Sequence, residues 1–369
     1  MSGVLKNWLE QMPGRESLPF FSPPPRLYTI KDLYDGYKVD NPLSLDTVFD
    51  TRVYRWTRDD AGKIRMLNRE ETVAARIHDT VMDKHVADFV DPTRRITIGF
   101  MGGHSVTRTA VAFTRVARMA RELRRRGFMI VTGGGPGLME AANFGAFMAP
   151  YDDDKFLQAV NLLRQAPTYG GVTTNCKEGC SSFEKAEWLD AALKVRELVL
   201  GDWERSEQES SSNLGIPTWF YGAEPPNMFA TVAGKYFFNS LREDGLVSIA
   251  NGGLIFGKGE AGTVQEIFQN ASYNYYRDGE MSATPMVFYD IDFWDPNPVT
   301  DAAAGAPLDA HRKAVFPLVQ QLALQAPNKF DQSLMLSNDC EEIVEFITAK
   351  NADKLKKLRY ADRRLAMVQ

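Results

Sequence analysis

Short apolar runs that alternate with helical patterns after Arg95 constrain the fold of this chain most. The runs ITIGFM (96–101) and FMIVT (128–132) each lead into a glycine turn. Between them, apolar residues recur at the 3.6-residue spacing of an α-helix, which we predict over 106–125. Because strands that alternate with helices form parallel sheets, the pattern predicts an α/β protein with a Rossmann-like, doubly wound parallel sheet and helices on both faces.

The same alternation resumes after an interruption. Further strands are predicted at 216–222, 253–257, 285–290 and 333–337, and further helices at 228–242, 263–277, 310–325 and 340–365. The polar stretch 151–213 breaks the rhythm, and we interpret it as an insertion that contains one helix, 183–200. Residues 1–90 lack this rhythm, and we interpret them as an N-terminal extension packed on the Rossmann-like domain 91–369.

The composition argues against several classes of protein. Lys and Arg total 43 and Asp and Glu total 48, and the net charge of −5 argues against a nucleic-acid partner, which requires a basic surface. The sequence shows no run of about 20 apolar residues and no signal peptide, so we expect a cytoplasmic protein with no membrane partner. The three cysteines, Cys176, Cys180 and Cys340, do not form a disulfide framework pattern, and we predict no metal site.

Three glycine-rich turns are expected to meet at one edge of the sheet. In a doubly wound sheet, ligands bind beyond the carboxyl ends of the strands, where the strand order reverses. In the common order 3-2-1-4-5, the strands 96–101 and 253–257 are neighbours at that point, and 128–132 lies beside the first. Glycine lets the backbone approach a ligand, and helix N-termini offer free N–H groups to a phosphate. The candidate phosphate- and nucleotide-binding residues in these turns are Gly102, Gly103, His104, Ser105, Gly133, Gly134, Gly135, Lys258, Gly259, Ala261, Gly262 and Thr263.

The glycine spacing excludes two common nucleotide-binding motifs. A dinucleotide fingerprint requires G-x-G-x-x-G, and the spacing from Gly133 and Gly135 reaches Leu138 instead of a glycine. A Walker A loop requires Ser or Thr after its lysine, whereas Gly259 follows Lys258. The turns therefore favour a mononucleotide or a sugar phosphate over NAD or an ATP bound by a P-loop.

Two of these turns carry a resemblance to a known family. GGGPGLMEAAN (133–143) and GKGEAGTVQE (257–266) resemble the GGGxxGLM and PGGxGTxxE motifs of the Lonely Guy (LOG) family of nucleoside 5′-monophosphate phosphoribohydrolases, many of which are labelled lysine decarboxylases. In the second motif, Lys258 stands in place of the usual proline and Glu260 in place of the second glycine. MGGHS (101–105) is similar to the first loop of longer nucleosidase relatives. The resemblance covers about 95–346, interrupted by the insertion.

The resemblance implies a homodimeric enzyme with a Rossmann-like fold. Its reaction is hydrolysis of the N-glycosidic bond of a nucleoside 5′-monophosphate, which releases free base and ribose 5-phosphate and requires no metal or organic cofactor. Glu266 is implied as the catalytic carboxylate at the ribose, and Thr263 as a phosphate ligand beside the glycine turns. Arg242 is implied as the catalytic arginine by its distance ahead of the second motif. No motif specifies the base.

The same residues also permit an interpretation without catalysis. Thr263 and Glu266 have the spacing of a capping box, in which both side chains serve the helix N-terminus. Arg242 then belongs to a charged surface cluster, His104 only completes a loop hydrogen bond, and the Lys258 side chain is solvated. The chain would be a non-catalytic nucleotide-binding sensor, an alternative that the substituted second motif favours. For the catalytic interpretation we expect Glu266 to be ionised, because a helix N-terminus favours negative charge.

Overall fold

The computed structural model describes residues 17–169, 182–201, 211–219, 225–277, 283–296 and 312–358. In this part of the chain, a seven-stranded sheet has parallel pairing between all neighbouring strands. The strands are, in chain order, β1 Thr97–Met101, β2 Met129–Thr132, β3 Asn213–Gly215, β4 Val232–Ala233, β5 Gly253–Phe256, β6 Met286–Tyr289 and β7 Leu334–Ser337. With helices on both faces, the sheet confirms the predicted Rossmann-like, doubly wound α/β fold.

Helices connect the strands and cover the sheet. The described α-helices are α1 Ile30–Tyr34, α2 Phe49–Trp56, α3 Arg69–Phe89, α4 Val111–Arg125, α5 Leu138–Phe147, α6 Asp153–Leu163, α7 Ser182–Leu200, α8 Asn239–Ile249, α9 Ala261–Tyr275, α10 Ile291–Trp294, α11 Phe316–Gln325 and α12 Cys340–Lys350. In α4, Phe113, Val116 and Ala120 are buried, as their helical spacing predicts. Arg124 and Arg125 occupy its last turn, where the helix dipole favours positive charge.

The order of the strands determines which edge of the sheet can bind a ligand. Across the sheet the order is β4-β3-β2-β1-β5-β6-β7. Phe100 of β1 lies opposite both Thr132 of β2 and Ile255 of β5, so these three strands end at the same edge. The chain proceeds outward from β1 to β4 on one side and from β5 to β7 on the other. The switch point therefore lies between β1 and β5, as predicted.

The third strand and the helix after it lie elsewhere than predicted. Strand β3 covers Asn213–Gly215, so the described residues of the predicted strand 216–222 begin where β3 has ended. The apolar residues that suggested a strand serve other contacts, since Trp219 packs on Phe237 and donates a hydrogen bond to Asp50. The predicted helix 228–242 does not form as one helix. Its first part is irregular and contains β4, which pairs with β3 and with Tyr28, and only its last residues belong to α8.

Smaller differences concern where helices begin. Helix α4 begins at Val111 and not at 106, because the chain after β1 first forms a loop in which the Arg108 N–H donates to the Pro167 carbonyl. Helix α9 begins at Ala261, two residues before the predicted position. Helix α11 begins at Phe316, and residues 297–311 lie outside the described part. None of the described helices combines the length and apolar character that crossing a bilayer requires.

The interrupting stretch 151–213 contributes to the core. It contains α6, which the sequence pattern did not predict, as well as α7. Phe156 on α6 and Trp188 on α7 are both buried. The acidic run at 152–154 begins α6, with the Asp152 side chain accepting a hydrogen bond at the N-cap. Cys176 and Cys180 lie outside the described residues.

The described part of the N-terminal extension packs beside β4. Tyr28 forms an antiparallel bridge with Ala233 of β4, and its hydroxyl is 2.8 Å from Nε2 of His78. Asp79 accepts hydrogen bonds from the backbone N–H groups of Phe237 and Phe238. Tyr28, His78 and Asp79 are buried, and these hydrogen bonds satisfy their polar groups. The extension therefore packs beyond β4, the strand at one edge of the sheet.

Candidate functional site

A cavity of about 730 Å³ lies over the carboxyl ends of β2, β1 and β5. Its volume falls within the range of small-molecule sites. The residues that line it come from turns far apart in sequence and are Met101, Gly102, Gly103, His104, Ser105, Val106, Gly133, Gly135, Met139, Pro217, Thr218, Arg242, Lys258, Gly259, Glu260, Gly262, Thr263, Glu266 and Phe293. The cavity thus contains both predicted catalytic residues and all the predicted nucleotide-binding residues except Gly134 and Ala261.

Main-chain hydrogen bonds join the three glycine turns. The Gly257 N–H donates to the Met101 carbonyl at 2.9 Å, and the Gly103 N–H donates to the Lys258 carbonyl at 2.7 Å. At Gly137, φ is +74° and a Cβ atom would lie 2.4 Å from the Gly103 carbonyl oxygen. Only glycine therefore allows the turn after β2 to pack on the turn after β1. The three turns form one continuous floor of backbone.

A buried amide network supports the turn after β2. The Asn227 N–H donates to the Gly134 carbonyl at 2.8 Å, and its side-chain Nδ2 donates to Asn143 Oδ1 at 2.9 Å. Thr132 Oγ1 donates to the same Asn143 oxygen and accepts from the Gly134 N–H. Because hydrogen bonds in a buried network reinforce one another, this network holds the turn in one shape. The backbone groups of Gly134 are therefore bonded within this network, and Gly134 does not line the cavity.

Glu266 faces the cavity from the second turn of α9. Only 8% of the residue is exposed. Burial raises the pKa of its carboxyl to about 7, a shift that the Arg242 charge opposes and the Glu243 charge increases. At neutral pH the carboxyl is therefore divided between its two protonation states. The expectation that the helix N-terminus keeps Glu266 ionised is wrong, because the cost of burying its charge exceeds the benefit of that N-terminus and raises the pKa of the carboxyl.

The capping-box interpretation is also wrong. The N-cap residue of α9 is Glu260, so Thr263 lies inside the helix and cannot be its cap. Thr263 instead packs on Gly259, where a Cβ atom would lie 2.1 Å from Thr263 Oγ1. Both Thr263 and Glu266 line the cavity. Their spacing thus reflects two positions on one face of the helix.

Arg242 reaches the cavity from α8. Its Nε donates to Asn239 Oδ1 at 2.8 Å, and its Nη2 donates to Glu243 Oε1 at 3.3 Å. Its Nη1 lies 3.3 Å from the position that a Cβ atom on Gly133 would occupy. With 11% of its side chain exposed, Arg242 belongs to the cavity wall and not to an open surface cluster. Its neighbours on α8 thus orient a cation toward the turn after β2.

The two residues that depart from the LOG motif both form ion pairs. Lys258 Nζ lies 3.0 Å from Asp290 Oδ2, and Glu260 Oε2 lies 2.9 Å from Lys313 Nζ. Lys313 therefore offsets the negative charge that Glu260 brings to the cavity lining. The side chains of Lys258 and Glu260 are 53% and 69% exposed, so solvent screens both pairs.

Several lining residues could not be found by following glycine turns. Pro217 and Thr218 follow β3 at the ligand-binding edge, but the misplaced third strand concealed this position. Phe293 lies just beyond β6. The rule that ligands bind at carboxyl ends of strands, applied to β6, would have identified Phe293, whereas Pro217 and Thr218 also required the true end of β3.

No protein-family model matches this chain, and no curated protein matches it. The likeness to the LOG family therefore remains a resemblance of motifs. Among the described residues, no three His, Cys, Asp or Glu side chains are grouped to hold a metal ion. The geometry of the cavity itself is what supports a function.

Proposed function

We propose that the protein hydrolyses the N-glycosidic bond of a nucleoside 5′-monophosphate and releases free base and ribose 5-phosphate. One observation carries the proposal: Glu266, whose carboxyl pKa is about 7, and the cation Arg242 line a single cavity whose floor is three glycine turns. Backbone turns suit the phosphate, and a protonatable carboxyl suits the glycosidic bond. A nucleoside 5′-monophosphate contains both a phosphate and a glycosidic bond, so its hydrolysis requires both the turns and the carboxyl.

The phosphate would lie at the N-terminus of α9. This helix has 15 residues, and the first N–H groups of a helix lack partners within it and favour an anion. Gly259 and Gly262 let the phosphate approach the backbone, and the buried Thr263 hydroxyl adds a donor from the same turn. Binding the phosphate here positions the rest of the nucleotide toward Arg242 and Glu266.

Glu266 would act at the ribose. Loss of the base from C1′ proceeds through an oxocarbenium-like transition state, which an ionised carboxylate stabilises. A carboxyl with a pKa near 7 is also able to donate a proton to the departing base, and to accept one from the attacking water. Arg242 limits how far burial raises that pKa and thus keeps both forms available at neutral pH.

The second candidate function is a nucleotide sensor that binds without reaction. One observation favours it, because Lys258 and Glu260, which replace LOG motif residues, are paired with Asp290 and Lys313. A loop whose charged side chains are held in ion pairs suits stable binding of a nucleotide without reaction. The two functions differ in whether free base is released.

Base release from a panel of purine and pyrimidine nucleoside monophosphates, separated by chromatography, distinguishes the two functions. We expect the wild type to release base and Glu266→Gln to release it about a hundredfold more slowly, as for loss of one strong electrostatic contact. Glu260→Gln is the matched control, because it changes an exposed carboxylate of the same cavity, and its rate should stay within about threefold of the wild type. Nucleotide binding without base release in the wild type would establish the sensor instead.

The proposed assembly is a homodimer. Exposed apolar side chains near α9 and α11 are consistent with it, with Tyr276 82%, Leu318 53% and Leu324 56% exposed. Light scattering should give twice the chain mass of 41.4 kDa. A constant monomer mass over a wide concentration range would refute the dimer.

A further inference from the structure

A second cavity, of about 240 Å³, lies beside the first, over the carboxyl ends of β6 and β7. Lys258 and Phe293 line both cavities and form their common wall. The proposed hydrolysis does not use the second cavity. Its position continues the row of strand ends that begins at β2 and passes through β1 and β5.

Cationic side chains from separate parts of the chain line the second cavity. Arg115 comes from α4, Lys258 from the turn after β5, and Arg312 from the segment before α11. Two carboxylates, Asp290 and Asp292, line it as well, so the charges of the lining, three positive and two negative, sum to +1. Asp290 is engaged by Lys258 and by the Phe293 N–H. The net positive charge of the lining favours an anionic group over a neutral one.

The walls of this cavity are held in place by the surrounding structure. Arg115 lowers the pKa of the Tyr289 hydroxyl against the rise that burial causes, so its guanidinium lies close to Tyr289, a residue that is 6% exposed. Asp290 has a φ of 93°, a left-handed conformation that is uncommon for a residue other than glycine. Such strain persists only where neighbouring groups hold it, and it is concentrated at ligand sites. The Asp290 carboxylate lies 3.0 Å from Lys258 Nζ at the common wall.

We propose that the second cavity is a phosphate subsite that takes the terminal phosphate of a nucleoside 5′-diphosphate. This inference rests on the proposed nucleotide site, because the first phosphate of the same molecule would lie on the glycine turns. Lys258 lines both cavities and would contact both phosphates. Arg115 would contact the terminal one, since a guanidinium forms paired hydrogen bonds with phosphate oxygens. The protein would then bind diphosphates as well as the monophosphates that it hydrolyses.

Calorimetric titration of the full chain carrying Glu266→Gln, in which the proposed hydrolysis is slow, with four pairs of ribonucleotides, AMP and ADP, GMP and GDP, CMP and CDP, and UMP and UDP, tests this. For each base that binds, we expect the diphosphate to bind about tenfold more tightly than the monophosphate, the effect of one charged hydrogen bond. Arg115→Gln should abolish that preference and leave monophosphate affinity within about twofold, because Arg115 does not line the first cavity. The matched control is Arg118→Gln, which changes another exposed arginine of α4 outside both cavities and should keep the preference.

Equal affinities within every pair for the Glu266→Gln protein would overturn the proposal, as would the addition of Arg115→Gln if the preference is kept. A free phosphate is the other source of the same chemistry, and it is tested by titrating inorganic phosphate into protein saturated with the monophosphate. Phosphate binding there, with no preference for diphosphates, would overturn the assignment to a diphosphate. If only the proposed hydrolysis is wrong, the diphosphate preference will be present and no base will be released. If none of the eight nucleotides binds, both proposals fail.

Discussion

Two buried carboxylates of this protein each have an arginine nearby, yet they lie in different surroundings. Glu140 of α5 accepts hydrogen bonds from Nε of Arg108 at 3.1 Å to both of its oxygens, and a third from Nη2 at 2.5 Å. Arg108 also donates to the carbonyls of Ala166 and Trp188, which ties the interrupting stretch to α5. Both charges are 1% exposed. This pair belongs to the core.

Glu266 of α9 faces a cavity, and the arginine beside it serves other acceptors. Arg242 donates to Asn239 and Glu243 and influences Glu266 through its charge. The comparison teaches that burial alone does not make a carboxylate structural. Burial raises the pKa of the Glu140 carboxyl as well, but there the charge and hydrogen bonds of Arg108 oppose the shift, and the carboxylate contributes to the fold. Where the arginine supplies mainly charge and the carboxylate faces open space, burial leaves a group that titrates near neutral pH.

Breaking the core pair should produce the largest effect. Glu140→Leu leaves the Arg108 guanidinium buried without its partner, so we expect the free energy of unfolding to fall by about 3–5 kcal/mol. The double variant Arg108→Met with Glu140→Leu removes both charges and should recover at least half of that loss. Urea denaturation measures both. A single variant as stable as the wild type would show that the pair is not structural.

Removing the charge of Glu266 should raise stability, in contrast to Glu140. The carboxyl pKa is about 7 in the folded protein and 4.5 as its ordinary value, so the folded state holds the proton more tightly. The contribution of this carboxyl to the free energy of unfolding should therefore fall as pH rises from about 4.5 to about 7 and then level off, by an amount on the order of 3 kcal/mol. Glu266→Gln lacks this dependence.

The measurement for Glu266 is urea denaturation of the wild type and Glu266→Gln over a series of pH values. The variant should be the more stable protein at pH 8, and its advantage should disappear below about pH 4.5. Parallel curves for the two proteins would mean that the carboxyl titrates normally. The distinction between the two carboxylates would then be lost.

The exposed carboxylate Glu260 should produce the smallest effect. It has a cationic partner, Lys313, as Glu140 has Arg108, but its side chain is 69% exposed. Glu260→Gln should therefore change the free energy of unfolding by less than about 0.5 kcal/mol, and 1 M NaCl should remove the difference by screening. A loss above about 1 kcal/mol would show that partner geometry matters more than burial.

Much of the site could be predicted because its signals are local. Gly133 and Gly135 lie in a turn between a buried strand and a helix, and the pattern for both elements is contained in a few neighbouring residues. Strand pairing then brings the turn beside Gly102 and Gly259. Pro217 and Thr218 escaped prediction because their place at the edge depends on where β3 ends, and its pairing with β2 determines that.

The sequence by itself determined the alternation of strands and helices, the edge of the sheet where ligands bind, and most of the residues in the cavity there. These follow from side-chain periodicity and glycine turns, which act over short stretches of chain. Only the tertiary structure decided that Glu266 titrates near pH 7, that Lys313 offsets Glu260, and that Asp290 holds Lys258 between two cavities. These properties depend on burial and on charges brought together from distant elements, and no local pattern encodes them.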